Sequence, residues 1–228
     1  MDSVIDIDAA RALVGDAALW PRVRDFLWDF APQIHASWLK GIQSLDRRDN
    51  MALLESLKDS SRSKSWILSS LGVEPCFHGF RKADWSRLVL LDGATLLEIV
   101  KWLGALRCAD ALRRVTAGAI VRELKSALSG VYPEVFGYTM YFRSFASRGD
   151  VEAQGLLAAV IEEGGSILLS ALSGQPSCLV ERFKLKLPKE VCDAASMRGT
   201  AEPPADVGVV LTKLLKLKFP EAYSLCCS

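Results

Sequence analysis

The chain has 228 residues, of which 50% are apolar and 24% charged, and its net charge is +1. That length can bury a sizeable core, and the composition excludes a mostly disordered protein. Without a basic excess there is no electrostatic footprint for non-specific nucleic-acid binding and no polybasic face for a membrane surface.

Apolar residues recur at helical spacing almost throughout, so the expected fold is all-α. It is read as one compact multi-helix domain over 1–228 with at most one short extended segment. The start of the chain is acidic and lacks the basic opening and apolar run of a signal peptide, so a cytoplasmic location is expected. Asp8 can cap a short first helix carrying Ala12, Leu13 and Ala17. Pro21 suits the first turn of a second helix, with Val23, Phe26, Leu27 and Phe30 as its stripe, and Pro32 breaks it. Residues 50–71 predict one or two helices with Leu53, Leu54, Leu57, Trp66, Ile67 and Leu71 inward. Residues 60–65 interrupt them, and Gly72 caps the end.

Residues 76–83 read as a loop. Asp92 is a strong N-cap for a helix with Leu96, Ile99, Val100 and Leu103 inward, and helix resumes over 106–115. Thr116 can cap the next, which buries Ile120, Val121, Leu124, Ala127 and Leu128 and stops at Gly130. Residues 132–145 predict an aromatic helix. Asp150 caps another that runs to Leu172, with Gly164 and Gly165 marking a kink or a close helix crossing. Residues 183–188 alternate apolar and basic side chains, which predicts an extended segment ended by Pro188. Residues 193–206 read as a linker, and a last amphipathic helix covers about 207–219. No apolar run reaches the roughly 20 residues of a membrane span. The longest, over 88–103 and 156–172, are interrupted by Asp92, Glu98, Lys101, Glu162 and Glu163.

Little in the sequence points to catalysis. The two histidines are His35, read as a hydrogen-bonded structural residue between Ile34 and Trp38, and His78, in the predicted loop without an obvious partner. No nucleophile elbow, phosphate-binding glycine motif, dinucleotide fingerprint or zinc-protease helix occurs. The six cysteines are scattered, and only Cys76 with His78 approaches metal-ligand spacing. No catalytic residue, cofactor or metal is therefore expected. Disulfides are not expected either, and Cys226 with Cys227 reads as a frayed tail with exposed thiols. Arg113, Arg114, Arg122 and Lys125 could be drawn as phosphate contacts of a helix-turn-helix, but any helical hairpin imitates that pattern.

Protein binding is the remaining role. Arg182, Lys184 and Lys186 beside the apolar residues of 183–188, and Lys213 and Lys216 on the last helix, are the candidate contacts, since they set basic charge beside apolar anchors.

Three stretches together resemble one family. They are PQIHASWL over 32–39, the helical region 96–128 with Leu103, Gly104 and a following Leu-Arg-Arg, and ERFKLKLP over 181–188. Their order and spacing are similar to those of the SctK (YscK, PscK) proteins of bacterial type III secretion systems. His35, Ser37, Trp38 and Pro188 are the structural residues of the first and third motifs. The resemblance implies a cytosolic adaptor of the sorting platform, peripheral to the inner-membrane base of the apparatus. It would link the ring protein SctD to the SctQ pods, and through SctL to the ATPase SctN, with no nucleic-acid partner and no membrane insertion. The alternative is a secretion chaperone or another helical binding module.

Overall fold

The computed structural model describes residues 17–40, 61–73, 80, 85–142, 145, 151–197 and 207–227. In chain order its α-helices begin with α1 (Trp20–Trp28), α2 (Ala36–Leu39), α3 (Ser61–Ser70), α4 (Gly93–Arg107), α5 (Ala109–Arg114) and α6 (Gly118–Ala127). They continue with α7 (Val135–Tyr138), α8 (Leu156–Ser170), α9 (Ser177–Lys186), α10 (Lys189–Met197), α11 (Val207–Lys218) and α12 (Pro220–Cys227). Short 3-10 turns occupy Ala31–Gln33, Ser86–Leu90, Thr139–Phe142 and Ala153–Gly155. No strand occurs among the described residues, and the fold is all-α.

The chain folds into two compact units, one holding Met1–Gly93, Gly174–Lys189 and Ser228, the other Ala94–Ser173 and Glu190–Cys227. In the first, Pro21 opens α1, whose Val23 and Phe26 are buried. Phe26 meets Phe30 and Phe80 edge to face at 5.5 and 5.8 Å. Leu88 to Leu91 and Leu179, Phe183, Leu185 and Leu187 complete this core. Burial of such side chains contributes about 1.5–3 kcal/mol each. Gly72 ends its segment at φ +67°, as a left-handed cap requires.

In the second unit α4 buries Leu96, Ile99, Val100, Trp102 and Leu103, and α8 buries Leu156, Val160, Ile167 and Leu168. The two helices cross backbone to backbone. A methyl at Gly104 would lie 1.8 Å from the Val160 carbonyl oxygen, and one at Gly164 would lie 1.9 Å from that of Val100. Of the two readings of Gly164 and Gly165, the close crossing holds. Gly165 is the milder case, meeting Val191 and Ala195 of α10 at 3.1 and 3.3 Å.

Several local expectations are corrected. Residues 183–186 are the last turns of α9, not an extended segment. Leu179, Arg182, Phe183 and Lys186 are all buried, which is the i, i+3, i+4, i+7 pattern of a helix with two cations turned inward. Helix α10 runs to Met197, so 193–197 of the expected linker are helical, with Val191, Cys192 and Ala195 buried. The aromatic stretch is two short turns, α7 and Thr139–Phe142, not one helix. Trp66 is 43% exposed, not inward, while its neighbour Ile67 is fully buried. Residues 61–65 lie inside α3 instead of interrupting helix. Cys226 is buried in α12, where a frayed tail was expected. Asp8, residues 50–60, Cys76, His78, Asp150 and 198–206 lie outside the described residues.

Candidate interaction surfaces

The two terminal motifs, far apart in sequence, form one junction within the first unit. His35 is extended at ψ 137° and caps α2, its Nδ1 accepting from the Ser37 amide at 3.2 Å and lying 2.8 Å from Ser37 Oγ. Ser37 Oγ in turn accepts from the Lys189 amide at 2.8 Å. The His35 amide donates to the Leu185 carbonyl at 2.8 Å, and Trp38 Nε1 donates to that of Leu187 at 2.9 Å. The Lys189 ammonium stands 5.7 Å from the Trp38 ring centre. Leu187 is extended, as the residue before Pro188 must be, and this turns the chain from α9 into α10. His35 itself is exposed and Trp38 partly buried, so the histidine orders a turn at the surface.

Arg182 and Lys186 do not reach solvent. They are 3% and 2% exposed, and their expected role as surface contacts is corrected. Arg182 Nη1 donates to the carbonyls of Phe26 and Leu27 at 2.8 and 3.2 Å, satisfying the orphan acceptors at the end of α1. Its guanidinium lies 5.7 and 5.4 Å from the Phe26 and Phe30 ring centres. Lys186 Nζ donates to the carbonyls of Val89 and Leu91 at 2.5 and 2.9 Å and faces the Phe26 ring at 5.2 Å. Burial lowers its pKa from 10.5 to about 7, opposed by the charge of Asp92. Its backbone is also tight, since a methyl at Gly93 would lie 2.6 Å from the Lys186 carbonyl oxygen. Lys184 is partly exposed on α9.

On α11 of the second unit, Lys213 and Lys216 are exposed as the sequence suggests. Lys213 Nζ donates to the Tyr141 carbonyl and lies 5.6 Å from the Phe142 ring centre. Lys218, also on the basic side of the last helix, has partners the sequence reading missed: its ammonium sits 4.6 and 4.2 Å from the Trp102 and Tyr138 ring centres and pairs with Glu134. Partial burial pulls that ammonium down, but Glu134 and Tyr138 together hold it above its ordinary value. The one available signal was the four-residue spacing of Glu134 and Tyr138, which puts an anion and a ring on one side of a turn.

Arg113, drawn above as a phosphate contact, donates to Thr139 Oγ1 at 2.6 Å and lies 5.5 Å from the Phe136 ring centre. An ion pair missed by the sequence reading joins the buried Glu163, 1% exposed, to the partly exposed Arg107 at 3.6 Å. An open cavity of about 380 Å³ is lined by Leu106, Ala109, Asp110, Arg113, Met140 and Phe142, among others. Among the described residues no cluster of three or more His, Cys, Asp or Glu could hold a metal ion, and no helix is long and apolar enough to cross a membrane.

No curated protein and no solved structure matches the chain. A family model does, over residues 25–135, and its description is YscK, Yop proteins translocation protein K. That stretch takes in the His35 to Trp38 turn and the α4 to α6 region, so the chain belongs to the YscK (SctK) family of type III secretion components.

Proposed function

We propose that the chain is a non-enzymatic, cytoplasmic adaptor of the sorting platform. It joins SctD at the inner-membrane ring to SctQ, and through SctQ reaches SctL and SctN. The family supports the secretion setting. The observation that carries the adaptor reading is the use made of the motif residues. His35 and Ser37 accept from backbone amides, and Trp38, Arg182 and Lys186 donate to backbone carbonyls, so all five hold backbone together. A catalytic site instead needs ionisable groups convergent on a cleft. A scaffold that holds its own shape and offers its surface to others uses its polar groups in the first way.

The test is co-purification from a cell expressing the platform, with the full chain tagged. Recovery of SctQ together with SctD is expected. Recovery of a secreted substrate in place of both would make the chain a chaperone, and recovery of neither platform protein would overturn the adaptor reading.

A further inference from the structure

Helix α11 has two faces. Val207, Val210, Leu211, Leu214 and Leu215 are buried. Val209, Lys213, Lys216 and Leu217 are exposed, and at about 100° per residue they fall on one outward stripe. Val209 is 67% exposed and Leu217 43%. Beside this stripe stand Met140 and Tyr141, at 61% and 50%. The Lys213 bond to the Tyr141 carbonyl and the Lys218 contact with Tyr138 set α11 antiparallel along the 134–142 segment. These four are the large apolar side chains that stand out exposed among the described residues of the second unit, and all lie on these two adjoining segments.

The charge of the face is one-sided. The sequence of α11, VGVVLTKLLKLK, contains three lysines and no carboxylate. Glu134 is already paired with Lys218, and Glu221 in the first turn of α12 is the acidic residue that follows. We propose that this face is the docking surface for an acidic, apolar segment of a partner protein. The inference rests on the adaptor reading and assigns it a surface. Tyr and Met are enriched as interface anchors, and Val209 and Leu217 extend the apolar strip along the helix. Lys213 is held in place by the Tyr141 carbonyl, so it loses little freedom on meeting a carboxylate. A lipid surface is the poorer fit. Polybasic attraction to it draws on clusters of about 4–8 lysines or arginines worth about 1 kcal/mol each, and α11 carries three.

Affinities of the purified full chain for SctQ and for the SctD cytoplasmic domain decide the matter. Two variants are compared with wild type, Val209→Ser with Leu217→Ser, and Lys216→Glu alone. Each should lose at least tenfold in affinity for one of the two proteins and keep its affinity for the other, and added salt should weaken that contact in wild type. If the double variant melts early, Lys216→Glu decides alone. Unchanged affinity of the folded variants for both proteins overturns the assignment while leaving the adaptor reading intact. Flotation of wild type with phosphatidylcholine–phosphatidylglycerol vesicles, lost in the variants while protein affinities hold, also overturns it. Failure of wild type to bind either protein removes the adaptor reading and the surface together.

Discussion

Lys186 has two carbonyl oxygens in reach, and a neutral amine has two hydrogens to give. The ammonium would bring a third hydrogen and a charge into a site where the Arg182 guanidinium also lies against the Phe26 ring, with Asp92 as the opposing charge. Its pKa is about 7 when folded against an ordinary 10.5, so between those values the unfolded chain binds a proton that the folded chain lacks. This group's contribution to stability therefore rises with pH across that window, by up to about 1.4 kcal/mol per pH unit, and does not change below it. Chemical denaturation from pH 7 to 10 should show the slope, and Lys186→Met should flatten it. Lys186→Glu points a carboxylate at carbonyl oxygens and should cost more than about 3 kcal/mol, the scale of an uncompensated buried charge. Lys184→Glu, on a partly exposed residue of the same helix, should leave the melt within about 0.5 kcal/mol of wild type. Trp38→Phe keeps an aromatic side chain of smaller size but loses the Nε1 bond to the Leu187 carbonyl, and should cost at least about 1 kcal/mol in the same assay. Residue types were read correctly from the sequence here, but their directions were not. Lysine and arginine are seldom buried, and only the carbonyls gathered around α9 reverse that expectation.

Among the elements, the α4–α8 crossing is the most demanding. Each helix presents a glycine four residues after a valine whose carbonyl faces the other helix's glycine. Such contact leaves no room for a Cβ, and the obstacle is backbone that cannot rotate away. Gly104→Ala and Gly164→Ala should each cost about 3 kcal/mol or more, at the upper end for overpacking, read from thermal or denaturant melts. Gly118→Ala is the control, since a methyl there meets nothing within 4 Å, and it should be neutral or slightly stabilising. A Gly-Gly pair within an apolar helix announces either a kink or a close crossing, so this feature was half legible, and the matching Gly104 on α4 was not foreseen. Nor was the conformation of α9. Its apolar residues Phe183, Leu185 and Leu187 alternate, and only with Arg182 and Lys186 counted as inward does the helical period appear. The aromatic stretch failed differently, because many rings fit a helix period and short turns equally well.

At the scale of the molecule, the absence of strands among the described residues predicts a far-UV circular dichroism spectrum of helical form, and a β-type spectrum would contradict the fold. Fold class was legible because stripes at 3.6-residue spacing survive many local errors. Family membership was legible through PQIHASWL and the helical region 96–128, which the matched stretch contains, and the meeting of PQIHASWL with ERFKLKLP in one junction gives a physical reason for both sequences. The division of the chain was hidden, since nothing in a linear pattern says that α9 returns to residues met long before. The candidate surface was half legible. Lys213 and Lys216 are exposed as expected, but Arg182 and Lys186 belong to the interior.

That return has a consequence for biosynthesis. The first unit needs Gly174–Lys189, and Ala94–Ser173 must leave the ribosome before those residues do. At roughly 5–20 residues per second, the emerged N-terminal stretch waits on the order of 5–20 s without the side chains that cap α1 and tie down Val89 and Leu91. During that interval Phe26, Phe30 and Leu88 have no finished core to enter, so apolar surface stays open on the nascent chain. A ribosome-bound chain halted at residue 173 should therefore be cut readily by protease within α1, and one halted well beyond 189, with α9 clear of the exit tunnel, should resist.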